Sequence, residues 1–182
     1  DVAGKRVLDL CAAPGGKTIF ASWLVGPEGR VTAADVNPYK LKNIAEALLR
    51  AGRRNAEIRL QDGAEHHSAW DGAFDAVLLD APCSALGTLR RHPEVKWLKR
   101  PGDGEKMARL GERILDNAAR YLRVDGTLLY AVCTFTREET TTQIQQFVQK
   151  HPDFKVEKAY YTVSTLLDNR DVFFIARLRK MR

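Results

Sequence analysis

The 182-residue sequence predicts an α/β fold with a doubly wound, mostly parallel sheet. Short apolar runs alternate with longer amphipathic segments along most of the chain, as expected for successive β-α-β units. Hydrophobic residues make up 45% of the chain and charged residues 29%. This composition is that of a globular domain and excludes the disordered, collagen-like and coiled-coil classes. The length corresponds to one domain, spanning residues 1–182.

The first half of the chain predicts three strands and two helices. A Pro-Gly-Gly turn separates the first strand from the first helix. Pro38 stands near the start of the second helix, where its missing N–H costs little, and Gly52 ends that helix. In chain order, the predicted elements are a strand at 6–10, a helix at about 17–25, a strand at 30–34, a helix at about 38–51 and a strand at 57–60.

From residue 74 onward the sequence predicts four more strands, which makes seven, and two more helices. The longer helix carries apolar residues at i, i+3 and i+4 spacing. No helix is predicted between the last two strands, so we expect them to pair antiparallel at one edge of the sheet. The predicted elements are a strand at 74–79, a helix at about 105–122, a strand at 127–132, a helix at about 138–150, and strands at 154–156 and 172–178.

About two dozen residues between Asp80 and the helix near residue 105 show no periodicity. Loops longer than ~12–15 residues in compact domains are usually functional. The chain also begins only five residues before its first strand, and we therefore expect a domain excised from a longer chain.

The balance of charges favours a polyanionic partner. Lys and Arg number 29 against 23 Asp and Glu, which leaves a formal charge of +6, and such an excess promotes binding to nucleic acid. No apolar run approaches the ~18 residues of a membrane span, and no signal peptide is present, so we expect a cytoplasmic protein without a membrane partner. The three cysteines form no C-x-x-C pair and the histidines no H-E-x-x-H motif, which predicts no disulfide framework and no metal site.

The turn after the first strand has the features of a nucleoside site. Its glycines, Gly15 and Gly16, allow close approach to a ligand, and the following helix offers free N–H groups. Asp35 ends the second strand twenty residues after Gly15, the spacing at which a carboxylate reaches ribose hydroxyls. Asp62, after the third strand, could accept a hydrogen bond from an adenine amino group.

Three nucleoside ligands compete for this turn. A dinucleotide requires G-x-G-x-x-G, which is absent. A P-loop requires G-x-x-x-x-G-K-[ST]; Gly16-Lys17-Thr18 fits, but Cys11 stands at the leading glycine, while the apolar run that ends in Asp80 imitates a Walker B strand. S-adenosylmethionine (SAM) has no phosphates and requires only close backbone and acceptor groups. The residues alone leave the second and third ligands open.

Two cysteines follow neighbouring strands of the predicted sheet. Cys83 comes shortly after the fourth strand, which ends at Asp80, and Cys133 directly follows the fifth. Because neighbouring parallel strands end at the same edge, both thiols and the Asp80 carboxylate should face one crevice. A lone buried cysteine is usually a small hydrophobe, but two thiols and an acid beside a nucleoside turn favour catalysis.

Three segments together resemble the RNA (cytosine-5) methyltransferases: Leu8 to Thr18, Asp80-Ala81-Pro82-Cys83-Ser84, and Tyr130-Ala131-Val132-Cys133-Thr134. The stretch from Thr88 to Trp97 resembles the branch that acts on small-subunit rRNA. The resemblance implies a Rossmann-like SAM-dependent fold and methyl transfer to carbon 5 of a cytosine. It implies Cys133 as nucleophile and Cys83 as the residue that assists release. We hypothesise that Asp80, near both the methyl donor and the base, stabilises the activated ring. The implied SAM-binding residues are Cys11, Ala12, Ala13, Pro14, Gly15, Gly16, Lys17, Asp35, Asp62 and Asp80.

The aperiodic segment carries the candidate RNA-binding residues. Basic and aromatic side chains that alternate in one loop can hold phosphates and stack bases. The expected partner is rRNA, single-stranded or locally opened so that the target base can leave the stack, and the expected oligomeric state is a monomer. The alternatives are a P-loop-like NTPase or kinase and a non-catalytic RNA-binding module of the same fold. The candidate residues are Arg90, Arg91, His92, Lys96 and Trp97.

Overall fold

The computed structural model describes residues 2–162 and 170–182 and contains one seven-stranded sheet. The strands are β1 (Arg6–Leu10), β2 (Arg30–Asp35), β3 (Ala56–Leu60), β4 (Phe74–Asp80), β5 (Leu122–Val132), β6 (Phe154–Tyr161) and β7 (Phe174–Lys180). Their order across the sheet is β3-β2-β1-β4-β5-β7-β6. From β1 the chain proceeds through β2 to β3 at one edge, and it then crosses back to place β4 on the other side of β1. The strand order therefore reverses between the neighbouring strands β1 and β4, and open α/β sheets bind ligands in the crevice at such a point.

Helices cover both faces of the sheet, as the doubly wound prediction requires. The helices are α1 (Gly16–Leu24), α2 (Pro38–Arg50), α3 (Val95–Leu98), α4 (Asp103–Tyr121) and α5 (Thr141–Lys150). In β1, Val7 packs with Val25, which follows α1, whereas Leu8 packs in the cluster that contains Ile114 of α4. Successive side chains of a strand point to opposite faces, so α1 and α4 lie on opposite sides of the sheet.

Local sequence explains where the helices begin. The side chain of Asn37 accepts hydrogen bonds from the N–H groups of Tyr39 and Lys40 at the start of α2, and Pro38 occupies the first helical position. Helix α4 buries one apolar stripe against β4 and β5, including Leu115 and Ala118, which are fully inaccessible. The predicted strands and long helices are therefore confirmed, with shifted ends.

Strand β7 runs antiparallel to both of its neighbours, β5 and β6. The predicted antiparallel pair does lie at one edge, but the reversed strand is second from that edge and β6 is outermost. Strand β6 extends to Tyr161, five residues beyond the predicted end at 156. Its side chains are mostly exposed and show little apolar periodicity, and backbone hydrogen bonds to β7 sustain the strand instead.

Three other elements differ from the prediction. Strand β5 begins at Leu122, immediately after α4, and pairs with Phe74 across an irregularity in the β4–β5 register. Helix α5 begins at Thr141 rather than near 138, because residues 137–140 form a turn in which Thr140 and Thr142 donate backbone hydrogen bonds to the Arg137 carbonyl. The aperiodic segment contains a 3₁₀ turn (Leu86–Thr88) and the short helix α3.

Candidate active site

The turn between β1 and α1 is held against the end of β2 by backbone hydrogen bonds. The N–H groups of Cys11 and Ala12 both donate to the Ala34 carbonyl at 2.9 Å. The Asp35 carboxylate then accepts from the Ala13 N–H at 3.0 Å and from the Asn37 N–H at 2.9 Å. Asp35 thus organises the predicted nucleoside turn as well as standing beside it.

Gly15 is required by the backbone and by the neighbouring helix. Its φ of +104° lies in the left-handed region, which side chains other than glycine rarely adopt. A Cβ at this position would lie 2.9 Å from Cγ1 of Ile44 in α2. At Gly16, by contrast, a Cβ would meet nothing within 4 Å. Gly15 therefore brings α2 close to the turn, and Gly16 leaves its surface open.

Four carboxylates act on the turn. Burial raises the pKa of the Cys11 thiol to about 12, and the charges of Asp35, Asp9, Asp80 and Asp62 contribute to that rise. Such an acidic crevice attracts a cation and accepts hydrogen bonds from hydroxyl and amino groups, whereas phosphates would be repelled. The residues present therefore suit a cationic nucleoside better than a nucleoside triphosphate or a dinucleotide.

Asp9 lies beneath the turn and is completely buried. Its Oδ2 accepts a hydrogen bond from the Thr18 hydroxyl at 2.6 Å, while its Oδ1 has no hydrogen-bond partner among residues 2–162 and 170–182. Burial raises the pKa of Asp9 to about 6, although the Thr18 hydrogen bond opposes this rise. Sequence analysis did not single out Asp9, because it occupies one position of an otherwise apolar strand.

Lys17 connects the turn to the end of β4. Its Nζ lies 2.6 Å from Oδ2 of Asp80, and both side chains are partly exposed. The same ammonium group lies 5.8 Å from the centre of the Phe173 ring, just before β7. This ion pair places Asp80 between the turn that follows β1 and the cysteines that follow β4 and β5.

The two predicted catalytic thiols are in contact. Sγ of Cys83 lies 3.3 Å from Sγ of Cys133. The hydrogen bond from Cys83 lowers the pKa of Cys133 against the opposing effect of burial. The same hydrogen bond, with burial, raises the pKa of Cys83. Cys133 is therefore the thiol that ionises first, and Cys83 retains the proton.

A buried carboxylate connects the two segments that follow β4 and β5 and carry Cys83 and Cys133, here called the cysteine loops. Oε1 of Glu139 accepts a hydrogen bond from the Ser84 N–H at 2.6 Å, and Oε2 accepts from the Thr136 hydroxyl at 2.7 Å. The Ser84 and Thr134 hydroxyls lie 2.8 Å apart, which adds a second connection between the residues that follow Cys83 and Cys133. Glu139 was missed because adjacent glutamates before a helix usually form a solvated first turn.

The candidate RNA-binding residues lie on the surface, and the Arg91–Asp171 pair is near enough to Cys133 to interact with it electrostatically. Trp97 is 81% exposed, and the Lys96 ammonium lies 5.3 Å from the centre of its ring. Arg91 is already paired, since its guanidinium donates two hydrogen bonds to Asp171, whose pKa is lowered by them. Nδ1 of His92 lies 3.2 Å from Glu94, and Arg90 is exposed.

Residues 2–162 and 170–182 contain no group of three or more His, Cys, Asp or Glu side chains able to hold a metal ion. In the same ranges, no helix has the length and apolar character needed to cross a membrane.

Comparison with known families identifies relatives along almost the whole chain. The family model described as 16S rRNA methyltransferase RsmB/F matches residues 2–179. Ribosomal RNA small subunit methyltransferase B from Photorhabdus laumondii is 39% identical over 186 residues, and that from Erwinia tasmaniensis is 43% identical over 185 residues. These alignments cover 98% and 97% of this chain, but 43% and 42% of the relatives. The chain therefore spans less than half the length of these curated relatives.

Solved structures show the same fold. NSun6 from Pyrococcus horikoshii, determined with SFG, matches with a TM-score of 0.84 and 28% identity and covers 98% of this chain and 48% of its own. A methyltransferase homologue from the same organism matches with a TM-score of 0.81 and 26% identity, covering 98% of this chain and 62% of its own. The Rossmann-like fold predicted from the sequence is confirmed.

Proposed function

The chain belongs to the RsmB/F family of 16S rRNA methyltransferases, and we propose that it transfers a methyl group from SAM to carbon 5 of a cytosine in small-subunit rRNA. The observation that carries the proposal is the contact between Cys83 and Cys133, 3.3 Å apart at the ends of adjacent strands. A thiolate at this position can activate a pyrimidine, whereas an NTPase or a purely RNA-binding module has no use for it.

The cofactor binds in the acidic crevice beside the turn between β1 and α1, which contains Gly15 and Gly16 and is here called the glycine turn. The carboxylates of Asp35 and Asp62 are acceptors for the ribose hydroxyls and the adenine amino group, and the backbone from Cys11 to Lys17 offers a close surface. When bound there, SAM supplies an electrophilic methyl group on a positively charged sulfur. The charges of Asp35 and Asp62 complement that sulfonium, since Asp80 is already paired with Lys17 and Asp9 is buried beneath the turn. The SFG in the NSun6 structure, a SAM analogue, supports the same ligand class.

Cys133 begins the reaction by adding to carbon 6 of the cytosine. Carbon 5 is a poor nucleophile until the C5=C6 double bond is opened, and a thiolate adds to carbon 6 far more readily than a thiol. The lowered pKa of Cys133 increases the thiolate fraction near neutral pH. Asp80, held by Lys17, lies where it can stabilise the protonated or hydrogen-bonded N3 of the activated ring.

Cys83 completes the reaction. Its raised pKa results first from the hydrogen bond to Cys133, so the pKa falls toward its ordinary value once Cys133 is bonded to the base. With the double bond opened, carbon 5 is nucleophilic and would take the methyl group supplied by SAM, whose methyl–sulfur bond would break to leave a neutral thioether. Carbon 5 then carries both the methyl group and its original hydrogen. Cys83 can release its own proton to solvent and take that hydrogen from carbon 5 as a proton. As the C5=C6 bond re-forms, the bond between Cys133 and carbon 6 breaks, and Cys133 leaves as a thiolate beside the reprotonated Cys83.

The RNA reaches this crevice as a single-stranded or locally opened segment, since the cytosine must leave the stack to contact Cys133. Arg90, Lys96 and Trp97 provide exposed cationic and aromatic surface for the flanking strand. Arg91 contributes by holding this loop to Asp171.

Single substitutions of the two cysteines test the proposal. With tritiated SAM and unmodified small-subunit rRNA, Cys133→Ala should abolish methyl transfer and form no covalent complex. Cys83→Ala should accumulate a covalent RNA–protein complex that survives denaturing electrophoresis, because release of the base is impaired. The reverse pattern would make Cys83 the nucleophile.

Calorimetry provides the control for these variants. Both should still bind SAM, because neither cysteine lies in the acidic crevice. Binding of Mg-ATP instead of SAM would overturn the methyltransferase proposal in favour of the NTPase.

A further inference from the structure

A cavity of about 860 Å³ opens beside the cysteine loops, on the side of β5 opposite the glycine turn. Its walls come from the segment after β5, the first turns of α5, the end of β6 and the residue before Phe173. Its volume lies within the range of small-molecule and nucleotide pockets. Its lining includes Phe135, Arg137, Gln145, Tyr161 and Val172.

This cavity is joined to Cys133 through the backbone. The Val172 N–H donates to the Gly87 carbonyl at 3.0 Å, and the Gly87 N–H donates to the Cys133 carbonyl at 2.9 Å. A Cβ at Gly87 would lie only 2.9 Å from the Cys133 carbonyl oxygen, so a side chain there would force the segments apart. Phe135 lies two residues beyond Cys133. The cavity wall and the nucleophile are therefore parts of one rigid arrangement.

The lining groups match the parts of a nucleotide. Phe135 is 50% exposed and contributes an aromatic ring to the lining, while the hydroxyl of Tyr161 is 2.7 Å from Oγ1 of Thr140, a contact that anchors the Tyr161 ring. The exposed guanidinium of Arg137 has no hydrogen-bond or ion-pair partner within the described ranges. Gln145 offers an amide that can both donate to and accept from a base edge.

The chemistry of the target explains why a nucleotide should bind here. A cytosine that leaves the stack to reach Cys133 deprives its neighbour of a stacking partner. An aromatic ring beside the nucleophile restores that stacking, and stacking of a base on an aromatic side chain is a major source of affinity for single strands. An unpaired guanidinium in the same cavity neutralises the phosphate between the two nucleotides.

We propose that this cavity binds the nucleotide adjacent to the target cytosine, with its base stacked on Phe135 and its phosphate held by Arg137. Gln145 contacts the edge of that base and sets the preferred sequence context. The inference rests on the proposed function, and it adds a subsite separate from the exposed loop that carries Arg90 and Trp97.

The test uses the full-length protein and a short fragment of small-subunit rRNA that contains the mapped methylated cytosine. Two modified fragments carry an abasic nucleotide on the 5′ or the 3′ side of that cytosine. One of them should raise the wild-type KM about tenfold with kcat nearly unchanged. Phe135→Ala should raise the KM for the intact fragment by about the same factor. When the variant is assayed with that abasic fragment, the KM should rise no further.

Tyr39→Ala is the matched control, because Tyr39 is an exposed aromatic residue of α2, far along the sheet from the cavity. It should leave the KM unchanged. A second variant, Gln145→Ala, tests base preference with fragments that differ only in the base of the nucleotide whose abasic replacement raises the KM. This variant should reduce the differences in kcat/KM among those fragments. The thermal unfolding midpoint of each variant establishes that it is folded.

The outcomes separate this inference from the proposed function. Methyl transfer by the wild type with unchanged KM in Phe135→Ala, or with additive effects of the variant and the abasic fragment, would overturn the subsite and leave the function intact. Absence of methyl transfer by the wild type would overturn both, since no target cytosine would then exist.

Discussion

Cys83 and Cys133 show how contact between two like residues gives them different chemistry. The hydrogen bond across the 3.3 Å contact lowers the pKa of Cys133 and raises that of Cys83. The sequence predicts both thiols at strand ends, but only the contact indicates which one ionises. The assignment of Cys133 as nucleophile, first implied by resemblance, thereby gains a physical argument.

Asp9 provides a pH-dependent test at the residue scale. Its pKa of about 6 in the folded protein exceeds its ordinary value of 3.8, so the folded state binds the proton more tightly. The stability from this group is therefore fully present below pH 3.8 and is lost as pH rises to 6. Asp9→Asn cannot ionise, so its free energy of unfolding does not contain this fall with pH. The variant should therefore gain about 2–3 kcal/mol in the free energy of unfolding relative to the wild type between pH 4 and pH 7.

Urea unfolding at both pH values measures this difference. Asp103→Asn is the matched control of opposite sign, because the Arg100 N–H donates to Asp103 and lowers its pKa. Its stabilising effect is present above the ordinary pKa of 3.8 and is lost only below it, so the effect of this variant should hardly change between pH 4 and pH 7, and the small change should be opposite in sign to that of Asp9→Asn. An Asp9→Asn difference that does not vary with pH would contradict the raised pKa.

At the scale of elements, Glu139 joins the ends of β4 and β5. The Ser84 N–H and the Thr136 hydroxyl both donate to this buried carboxylate, and the Tyr130 hydroxyl donates to its backbone carbonyl. Glu139 therefore acts as a positioning residue for the thiols. It also explains why α5 starts three residues later than its amphipathic pattern predicts, because the preceding turn directs this side chain inward.

Glu139→Ala should leave the Ser84 N–H buried without an acceptor and destabilise the protein by about 2–4 kcal/mol. With the two loops no longer tied, the Cys83–Cys133 contact should weaken and the pKa of Cys133 should rise. The rate of Cys133 alkylation by iodoacetamide as a function of pH measures that pKa.

Glu138→Ala serves as the control, since Glu138 is exposed and adjacent. Glu139→Gln should give an intermediate result, because its amide oxygen can still accept from Ser84. An unchanged alkylation profile in a folded Glu139→Ala protein would show that Glu139 stabilises the fold without positioning the thiols.

For the whole molecule, part of the sheet remains accessible on the α1 side. A cavity of about 790 Å³ lies over β4, β5 and β7, lined by apolar side chains that include Phe20, Leu78, Leu129 and Ile175. Sheets with parallel strands are usually covered on both faces, so this surface is unusually apolar for its position.

This face should bind a hydrophobic dye in the native state. We expect 8-anilinonaphthalene-1-sulfonate fluorescence with the 182-residue chain, and we expect Leu129→Gln to reduce it roughly twofold because Leu129 lies near the middle of the face. Leu49→Gln is a matched control, as Leu49 is an exposed leucine on α2 outside this face. Equal reductions by both variants would exclude specific binding at the sheet.

The fold class, the glycine-containing turn after β1 and the strand-end positions of Asp80, Cys83 and Cys133 could all be predicted from the residues alone. These follow from local periodicity and from short motifs, and the carboxyl ends of parallel strands always meet at one edge. The boundaries of β5 and β6 were less predictable, since pairing with a neighbouring strand, rather than apolar periodicity, sustains their additional residues.

The contact between the thiols, the inward position of Glu139 and the pairing of Arg91 with Asp171 became evident only in the folded protein. The partners in these three contacts lie 50, 55 and 80 residues apart along the chain. Local sequence patterns cannot predict contacts between residues so far apart in the chain. They depend on the order of strands in the sheet, including the insertion of β7 between β5 and β6, which is settled when all the elements pack together.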